Sequence, residues 1–262
     1  MNQKQLEKER LKTIKAEGRY IDANLHKKEL GWQKKIEKFV PEKLSDTMNA
    51  AFYKAFEMIF EKGTGIIEKA YNKEKREKEH AVDAYAAEVF GNRKSMKVFS
   101  KKAKSSKVVN NLISTVEGIG MGIAGAGLPD IPVFISVLLK SIYEIATIYG
   151  FSYDSEQEQI FILKIIETAL AHERELIEGN VELNSWLKSP AEFELDKEQQ
   201  MKRTSLALSD ELLYLKFVQG APVVGVIGGV SDVVYQKKIT DYAELKYRRR
   251  FLEEKRKKDL DK

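Results

Sequence analysis

The chain has 262 residues, of which 43% are hydrophobic and 32% are charged, enough for one large domain with a buried core. It contains no cysteine, so disulfide bonds, thiolate metal sites and a cysteine nucleophile are excluded. The 45 basic and 40 acidic residues leave a net charge of +5, which is too balanced to indicate a nucleic-acid-binding protein by itself.

Residues 1–39 are rich in Lys, Arg and Glu, and apolar residues such as Leu6, Leu11 and Ile14 recur among them at helical spacing. We therefore predict a charged helical extension over 1–39 and one all-α domain over 40–262. The first ten residues lack the apolar core of a signal peptide, so we expect the protein in the cytoplasm.

A second helix is predicted from 44 to 67, and the charged run over 72–80 is typical of an exposed helix surface. A strongly basic run follows over 92–107, with seven positive side chains and no acidic one. We interpret it as a basic surface suited to anionic partners. Its members are Arg93, Lys94, Lys97, Lys101, Lys102, Lys104 and Lys107.

Glycine is concentrated in two segments, with five of the 16 glycines in 118–127 and four in 220–229. A glycine inside a helix costs about 1 kcal/mol relative to alanine, so this clustering needs a structural reason. Small residues four positions apart share a helix face and let another backbone approach closely. We therefore predict that two ladders of small residues pack against each other. They are Gly118, Gly122, Ala126 and Ala221, Gly225, Gly229.

Two interpretations of the first glycine-rich segment are disfavoured. Gly120–Gly125 matches a dinucleotide-binding pattern, but no strand precedes it and no acidic residue follows at the required distance. The apolar stretch 119–139 has the length of a membrane-spanning helix, but Pro129 and Pro132 interrupt it.

Two other interpretations stay open: a helix–break–helix hairpin that enters the membrane interface, and the buried core of a helical domain. The break is predicted at 128–132 and the second helix at 133–149. This helix fits the membrane interpretation, because its polar residues form one narrow strip on an apolar cylinder. The strip consists of Ser136, Lys140, Glu144 and Thr147.

Further helical patterns follow residue 153. Ser155 and Glu158 have the spacing of a capping box, and an apolar stripe continues the predicted helix over 154–187. A break is predicted near 189–190, followed by a helix to Phe217. The stripe consists of Ile160, Leu163, Ile166 and Leu170. Because strand signals are scarce, we predict an all-α fold, a single bundle-like domain with two packed glycine-rich helical segments and a charged N-terminal helical extension.

The residues around the first glycine-rich segment resemble the signature of the EcsC protein family. The matching string is Glu117-Gly118-x-Gly120-x-Gly122-x-x-Gly125-x-Gly127-x-Pro129-Asp130-Ile131-Pro132. A later string, Pro222-Val223-Val224-Gly225-x-x-Gly228-Gly229, is similar to that family's second motif. The resemblance covers about residues 40–255. It implies a mainly bacterial family without an established molecular function, whose founding member is encoded beside the components of an ABC exporter. It therefore implies an accessory role in transport, secretion or the cell envelope, and it brings no catalytic residues.

Three acidic residues near the glycine segments are candidates for a functional role. Asp130 lies between two prolines, where it serves either as an acid/base group or as the N-cap of the following helix, and we favour the cap. Asp232 shares a helix face with the second ladder, so we expect a hydrogen bond or ion pair between helices. Glu117 is expected to pair with a lysine. The candidate interaction residues are Glu117, Gly118, Gly120, Gly122, Gly125, Gly127, Pro129, Asp130, Pro132, Pro222, Gly225, Gly228, Gly229 and Asp232.

No metal, cofactor or catalytic residue is predicted. Glu77-x-x-His80 has the spacing of a di-iron ligand pair, but a second copy of the motif is missing. His172 is expected at the surface or at the rim of a cleft. The chain has neither a nucleophile elbow nor a Walker A loop.

We therefore predict a membrane-associated accessory or binding protein of the bacterial envelope rather than an enzyme. It is expected on the cytoplasmic side, peripherally bound to the inner face of the cell membrane, with anionic lipid as its partner and an ABC transporter as a further candidate. One alternative is a lipid- or envelope-directed hydrolase that uses Asp130. The other is a soluble helical protein that binds a partner or nucleic acid. Nucleic acid would be bound through the basic run over 92–107 and through Tyr247, Phe251 and the arginines between them.

Overall fold

The computed structural model describes residues 3–25, 42–62, 77–81, 130–189, 196–218 and 230–260. These residues form helices and short turns with no strand among them, which confirms the predicted all-α fold. The main helices are α1 (Gln3–Leu25), α2 (Glu42–Lys62), α3 (Asp130–Ile148), α4 (Glu156–Leu170), α5 (Glu173–Lys188), α6 (Lys197–Val218) and α7 (Val230–Leu260). Residues 77–81 form a further short helix.

Helix α4 is the centre of the described fold, and α5, α6 and α7 all pack against it. It begins as predicted, because the Ser155 hydroxyl accepts a hydrogen bond of 3.2 Å from the backbone N–H of Glu158. Twelve of its 15 residues are buried, so the helix is covered on every side. The four residues of the predicted apolar stripe are among them.

Helix α3 is a second core element, packed between α2 and α7. The span Ile131–Ile148 is long and apolar enough to cross a membrane, yet 89% of it is buried inside the fold. The polar strip of this helix is also buried, with each of its four residues less than 5% exposed. Within the strip, Lys140 Nζ lies 3.7 Å from the carboxylate of Glu144. For this helix, burial favours the core interpretation over contact with lipid.

The end of α3 is closed by a glycine in the left-handed region. Gly150 has φ of +83°, and its N–H donates to the carbonyl of Thr147 at 3.0 Å. The N–H of Phe151 donates to the carbonyl of Ala146 at 2.9 Å, which completes a Schellman motif. His80 covers this end of the helix, with Nδ1 2.7 Å from the carbonyl oxygen of Ile148.

Two helix boundaries differ from the sequence predictions. Helix α3 begins at Asp130 rather than at residue 133, because proline is tolerated in a first turn, where the backbone N–H has no helical partner. The helix predicted over 154–187 is two helices, separated at Ala171 and His172. The pattern missed this turn because neither glycine nor proline marks it.

Helix α1 lies antiparallel to α7 and also contacts α5. Its buried residues are mostly polar, and the ring of Tyr20 stacks on that of Tyr242 with centroids 4.9 Å apart. The buried residues are Leu6, Glu9, Thr13, Glu17 and Asn24. This helix is therefore attached to the bundle largely by ion pairs and hydrogen bonds. The predicted domain boundary at residue 39 stays a prediction.

Candidate functional site

Polar side chains of α1, α5 and α7 meet in a largely buried cluster. The buried ammonium group of Lys246 donates to three oxygens. They are Glu17 Oε1 at 2.6 Å, Asn180 Oδ1 at 2.5 Å and Asn184 Oδ1 at 2.9 Å. The hydroxyl of Tyr242 also donates to Asn180, at 2.8 Å. All three N–H groups of Lys246 therefore donate within the protein, so none is left for a ligand. We assign this cluster a structural role and call it the junction around Lys246.

The carboxylate of Glu17 pairs with two cations in this junction, because Arg249 donates to it at 2.7 Å in addition to Lys246. Burial raises the pKa of Glu17, but the attraction of the two cations outweighs it and leaves the pKa below its usual value. Burial lowers the pKa of Lys246 to about 8, because only one carboxylate opposes the burial and Arg249 repels the ammonium group. The junction is therefore held in its charged form at neutral pH.

Acid is expected to weaken this junction. Because the pKa of Glu17 lies below the ordinary 4.5, the unfolded chain binds protons before the folded chain does as the pH falls. The stabilisation is present above pH 4.5 and is lost as the pH falls through the folded pKa. Urea unfolding at about pH 7 and about pH 3 should show this loss, with a smaller decline in Glu17→Gln. An equal decline in both proteins would contradict this assignment.

Three consecutive arginines of α7 pair with glutamates of two other helices. Arg248 donates to Glu9 at 2.9 Å, Arg249 to Glu17 at 2.7 Å, and Arg250 to Glu158 at 2.6 Å. The flanking rings of Tyr247 and Phe251 are buried. These side chains therefore do not form the phosphate-binding surface that the nucleic-acid alternative required. The sequence concealed the pairing, since the partners lie 92 to 239 residues apart.

The opposite face of α1 is basic and open to solvent. Its exposed residues recur at the spacing of a single helix face, and Leu11 at their centre is 48% exposed. We call this surface the outer face of α1. It consists of Lys4, Lys8, Leu11, Lys15, Arg19 and Asp22. The buried acidic residues Glu9 and Glu17 lie on the inner face, whereas the outer face carries four basic residues and one acidic residue, Asp22.

An acidic groove of about 490 Å³ lies between α5 and α6, above α4. Six carboxylates line it, against the two permanent cations Lys164 and Arg203. The cations lie at one end, where Lys164 pairs with Glu182 at 2.6 Å and Arg203 with Glu167 at 2.8 Å. The six acidic residues are Glu167, Glu175, Glu178, Glu182, Asp210 and Glu211. One wall of the groove was predictable from the sequence, because Glu175, Glu178 and Glu182 have the spacing of residues that share one face of α5.

The floor of the groove contains a buried hydroxyl without a partner. Thr168 is 1% exposed, and its Oγ1 makes no hydrogen bond with the residues that the structure describes. Leaving a buried polar group unpaired costs about 1–3 kcal/mol. The hydroxyl faces Gly179, where a Cβ atom would approach Oγ1 to 2.6 Å. Glycine at this position therefore allows α5 to lie close against α4.

Most residues singled out from the sequence lie outside the described part of the chain. This holds for Glu117, for all the glycines of 118–127 and 220–229, for Pro129 and Pro222, and for the seven basic residues of 92–107. The predicted packing of the two ladders therefore stays a prediction. Asp130 and Asp232 lie in the first turns of α3 and α7, and their side chains are outside the described part of the structure. Pro132 is buried in the first turn of α3.

His80 and His172, the two histidines considered as metal ligands or cleft residues from the sequence, lie in no metal-binding group of described residues. Among the described residues, no three His, Asp or Glu side chains converge in a way that could hold a metal ion. His80 covers the end of α3, and His172 forms a hydrogen bond with Glu211 at the rim of the groove. Burial raises the pKa of Glu211, but the interactions with His172, Lys238 and Tyr235 together outweigh it and leave the pKa lowered.

Comparison with known proteins identifies the family. The profile of the EcsC protein family matches residues 4–252, a stretch that includes α1 and most of α7. Protein EcsC of Bacillus subtilis (strain 168) is 26% identical over 156 residues, which cover 58% of this chain and 63% of that protein. The match thus spans less than two thirds of the relative's length. No solved structure matches the chain. The chain therefore belongs to the EcsC protein family.

Proposed function

We propose that the protein is a peripheral accessory protein that binds the anionic inner face of the bacterial cell membrane through the outer face of α1. The observation that carries the proposal is the row of four exposed cations around an exposed leucine. Each lysine or arginine near an anionic surface contributes about 1 kcal/mol of binding. Leu11 would enter the interface between headgroups and acyl chains.

Basic residues near one end of this face support the proposal. The ion pair between Arg10 and Glu253, at 3.1 Å, places the start of α1 beside the end of α7. There Arg256, Lys257 and Lys258 are exposed. The basic run over 92–107 adds seven positive charges to the chain, although it lies outside the described residues.

An accessory role fits the same arrangement. The interior of the bundle is filled by apolar helices and by the saturated junction around Lys246, which suits a rigid binding module. We propose that the protein assists a membrane assembly, with an ABC transporter as the first candidate, because of the gene neighbourhood implied by the family resemblance. The family resemblance suggests the ABC transporter, whereas the exposed charges of α1 suggest the contact with lipid.

Charge removal on the outer face is expected to weaken membrane binding strongly. A variant with Lys4, Lys8, Lys15 and Arg19 all changed to Gln should bind vesicles of phosphatidylcholine and phosphatidylglycerol at least about tenfold more weakly than wild type. Cosedimentation measures this. Wild-type binding should also weaken between about 0.1 M and about 1 M salt, because the Debye length shrinks from about 10 to about 3 Å.

A matched control removes four exposed cations from other helices. It changes Lys43, Arg174, Lys202 and Lys237 to Gln, which alters the net charge equally. This variant should retain most of the vesicle binding. Equal losses in the two variants would indicate dependence on net charge alone, and absence of wild-type binding to anionic vesicles would overturn the proposal.

A further inference from the structure

Helix α5 exposes two apolar side chains that the core of the bundle does not bury. Ile177 is 44% exposed and Val181 is 56% exposed. Because they are four residues apart, they lie one above the other on the same face of the helix. We call them the apolar pair of α5. Grouped apolar side chains on a surface, bordered by polar ones, mark sites of contact with a protein or a membrane.

The apolar pair lies on the side of α5 that is next to α1. Asn184 marks this side, because its side-chain N–H donates to Glu17 of α1 at 2.9 Å. Ile177 precedes Asn184 by seven residues, which is close to two turns, so both project from nearly the same side of α5. Val181 lies about 60° farther round the helix, toward solvent. The pair therefore borders the line along which α1 and α5 meet.

The neighbouring flank of α1 is apolar as well. Ile14 and Ile21 are seven residues apart and partly buried, and both lie beside Glu17 round the helix. Tyr20 lies on the other side of Glu17, where its ring stacks on that of Tyr242 in α7. The two isoleucines therefore lie on the side of α1 that faces α5. Apolar surface thus continues across the line between the two helices.

Helices α1 and α5 both pack on α7 and contact each other, so they lie side by side. A flat surface can therefore touch the solvent-facing sides of both helices at once. On α1 it would meet the four cations of the outer face and Leu11, which is 48% exposed. On α5 it would meet the apolar pair. The exposed apolar side chains of the two helices thus face one continuous surface.

The charges of α5 on this side do not oppose contact with an anionic surface. Arg174 and Glu178, which flank the apolar pair, form an ion pair at 2.6 Å. The exposed Glu173 at the start of the helix is balanced by the exposed Lys188 at its end. Helix α5 therefore adds apolar side chains to the surface and leaves its net charge to α1.

We infer that the membrane-binding surface extends from α1 onto α5, and that Leu11, Ile177 and Val181 enter the interface of one anionic bilayer together. The cations of α1 meet the headgroups, while the three apolar side chains reach the boundary between headgroups and acyl chains. A bilayer fits this surface because it presents negative charge and apolar chains side by side over a flat area. The inference rests on the proposed function and adds to it a part of the binding that salt does not screen.

An environment-sensitive fluorophore at residue 181 tests the insertion directly. Because the chain contains no cysteine, Val181→Cys can be labelled at one position with nitrobenzoxadiazole. With vesicles of phosphatidylcholine and phosphatidylglycerol, its emission should shift to shorter wavelength, and the same label at Leu11→Cys should shift likewise. The matched control is the label at Leu206→Cys. Leu206 is 48% exposed on α6, which packs on α4 and α2, so its emission should stay unchanged.

A second variant measures how much the apolar pair contributes to binding. Ile177→Gln/Val181→Gln should bind these vesicles at least about fivefold more weakly than wild type in cosedimentation, because two apolar side chains then remain in water. It should also lose the binding that wild type retains at about 1 M salt. Leu206→Gln should bind like wild type. All three positions are exposed, so the variants should melt like wild type.

Failure of this inference is distinguishable from failure of the proposed function. A label that shifts at residue 11 but not at residue 181 would overturn the extension to α5 and leave binding through α1 standing. Vesicle binding by Ile177→Gln/Val181→Gln equal to that of wild type would have the same meaning. Absence of wild-type binding, with no shift of either label, would overturn both proposals.

Discussion

Replacement of Lys246 by methionine should lower the free energy of unfolding by about 3 kcal/mol, as expected when one partner of a buried ion pair is removed. The substitution leaves the buried carboxylate of Glu17 with Arg249 as its remaining cation, beside the side-chain N–H of Asn184 at 2.9 Å. It also removes one donor from each of two asparagine side-chain oxygens, of which that of Asn180 keeps the hydroxyl of Tyr242. The remaining Arg249 places the expected loss at the low end of the range for such pairs. Urea unfolding followed by circular dichroism measures it.

The matched control is Lys237→Met on the same helix. Lys237 is 72% exposed and pairs with Asp241 at the surface, so its loss should cost less than about 1 kcal/mol. The double variant Glu17→Gln/Lys246→Met should cost less than the sum of its two single changes, because it leaves no buried carboxylate without its lysine. A cost for Lys246→Met as small as that for Lys237→Met would contradict the proposed junction.

Replacement of Gly150 by alanine should lower the free energy of unfolding by about 2–5 kcal/mol. Two causes add: the left-handed backbone costs an alanine about 1–2 kcal/mol, and crowding costs about 1–3 kcal/mol. The crowding arises because the new Cβ would overlap the imidazole of His80, whose Cε1 lies 2.6 Å from its position. Thermal and urea unfolding both measure the effect.

Gly18 supplies the control for this substitution. It lies inside α1, and no neighbouring atom lies within 4 Å of the position that an alanine Cβ would take, so Gly18→Ala should be neutral or stabilising by about 0.5–1 kcal/mol. The double variant Gly150→Ala/His80→Ala should recover part of the loss, since it removes the overlap and leaves the backbone strain. Equal effects of alanine at 150 and 18 would show that the backbone at the end of α3 differs from the one described.

The family and the fold class were accessible from the sequence for local reasons. Helical periodicity and the Ser155 cap depend on residues within one or two turns, and both were predicted correctly. The glycine and proline string that suggested the family is likewise contiguous, and the family match confirms the resemblance to the EcsC protein family. The turn at Ala171 and His172 was not predicted, because neither glycine nor proline marks it and tertiary packing determines where the helix ends.

The candidate sites were much less predictable. A run of arginines over 248–250 suggests a basic surface, but in the fold its charges pair with glutamates far away in the chain. The polar strip of α3 suggested an exposed or interfacial face, whereas all four of its residues are buried. The groove combines side chains of three helices, and Thr168 gives no sign in the sequence that its hydroxyl will lack a partner.

The sequence by itself determined the helices, the family and the overall charge balance, because periodicity, caps and contiguous motifs act over a few residues. Only the tertiary structure decided which charges are used internally and which face solvent. A charged side chain is available for binding only if the fold places no oppositely charged partner beside it. This depends on contacts between helices that are far apart in the chain. Hence the three arginines of α7 are paired with glutamates inside the fold, while Lys4, Lys8 and Lys15 of α1 remain on the surface.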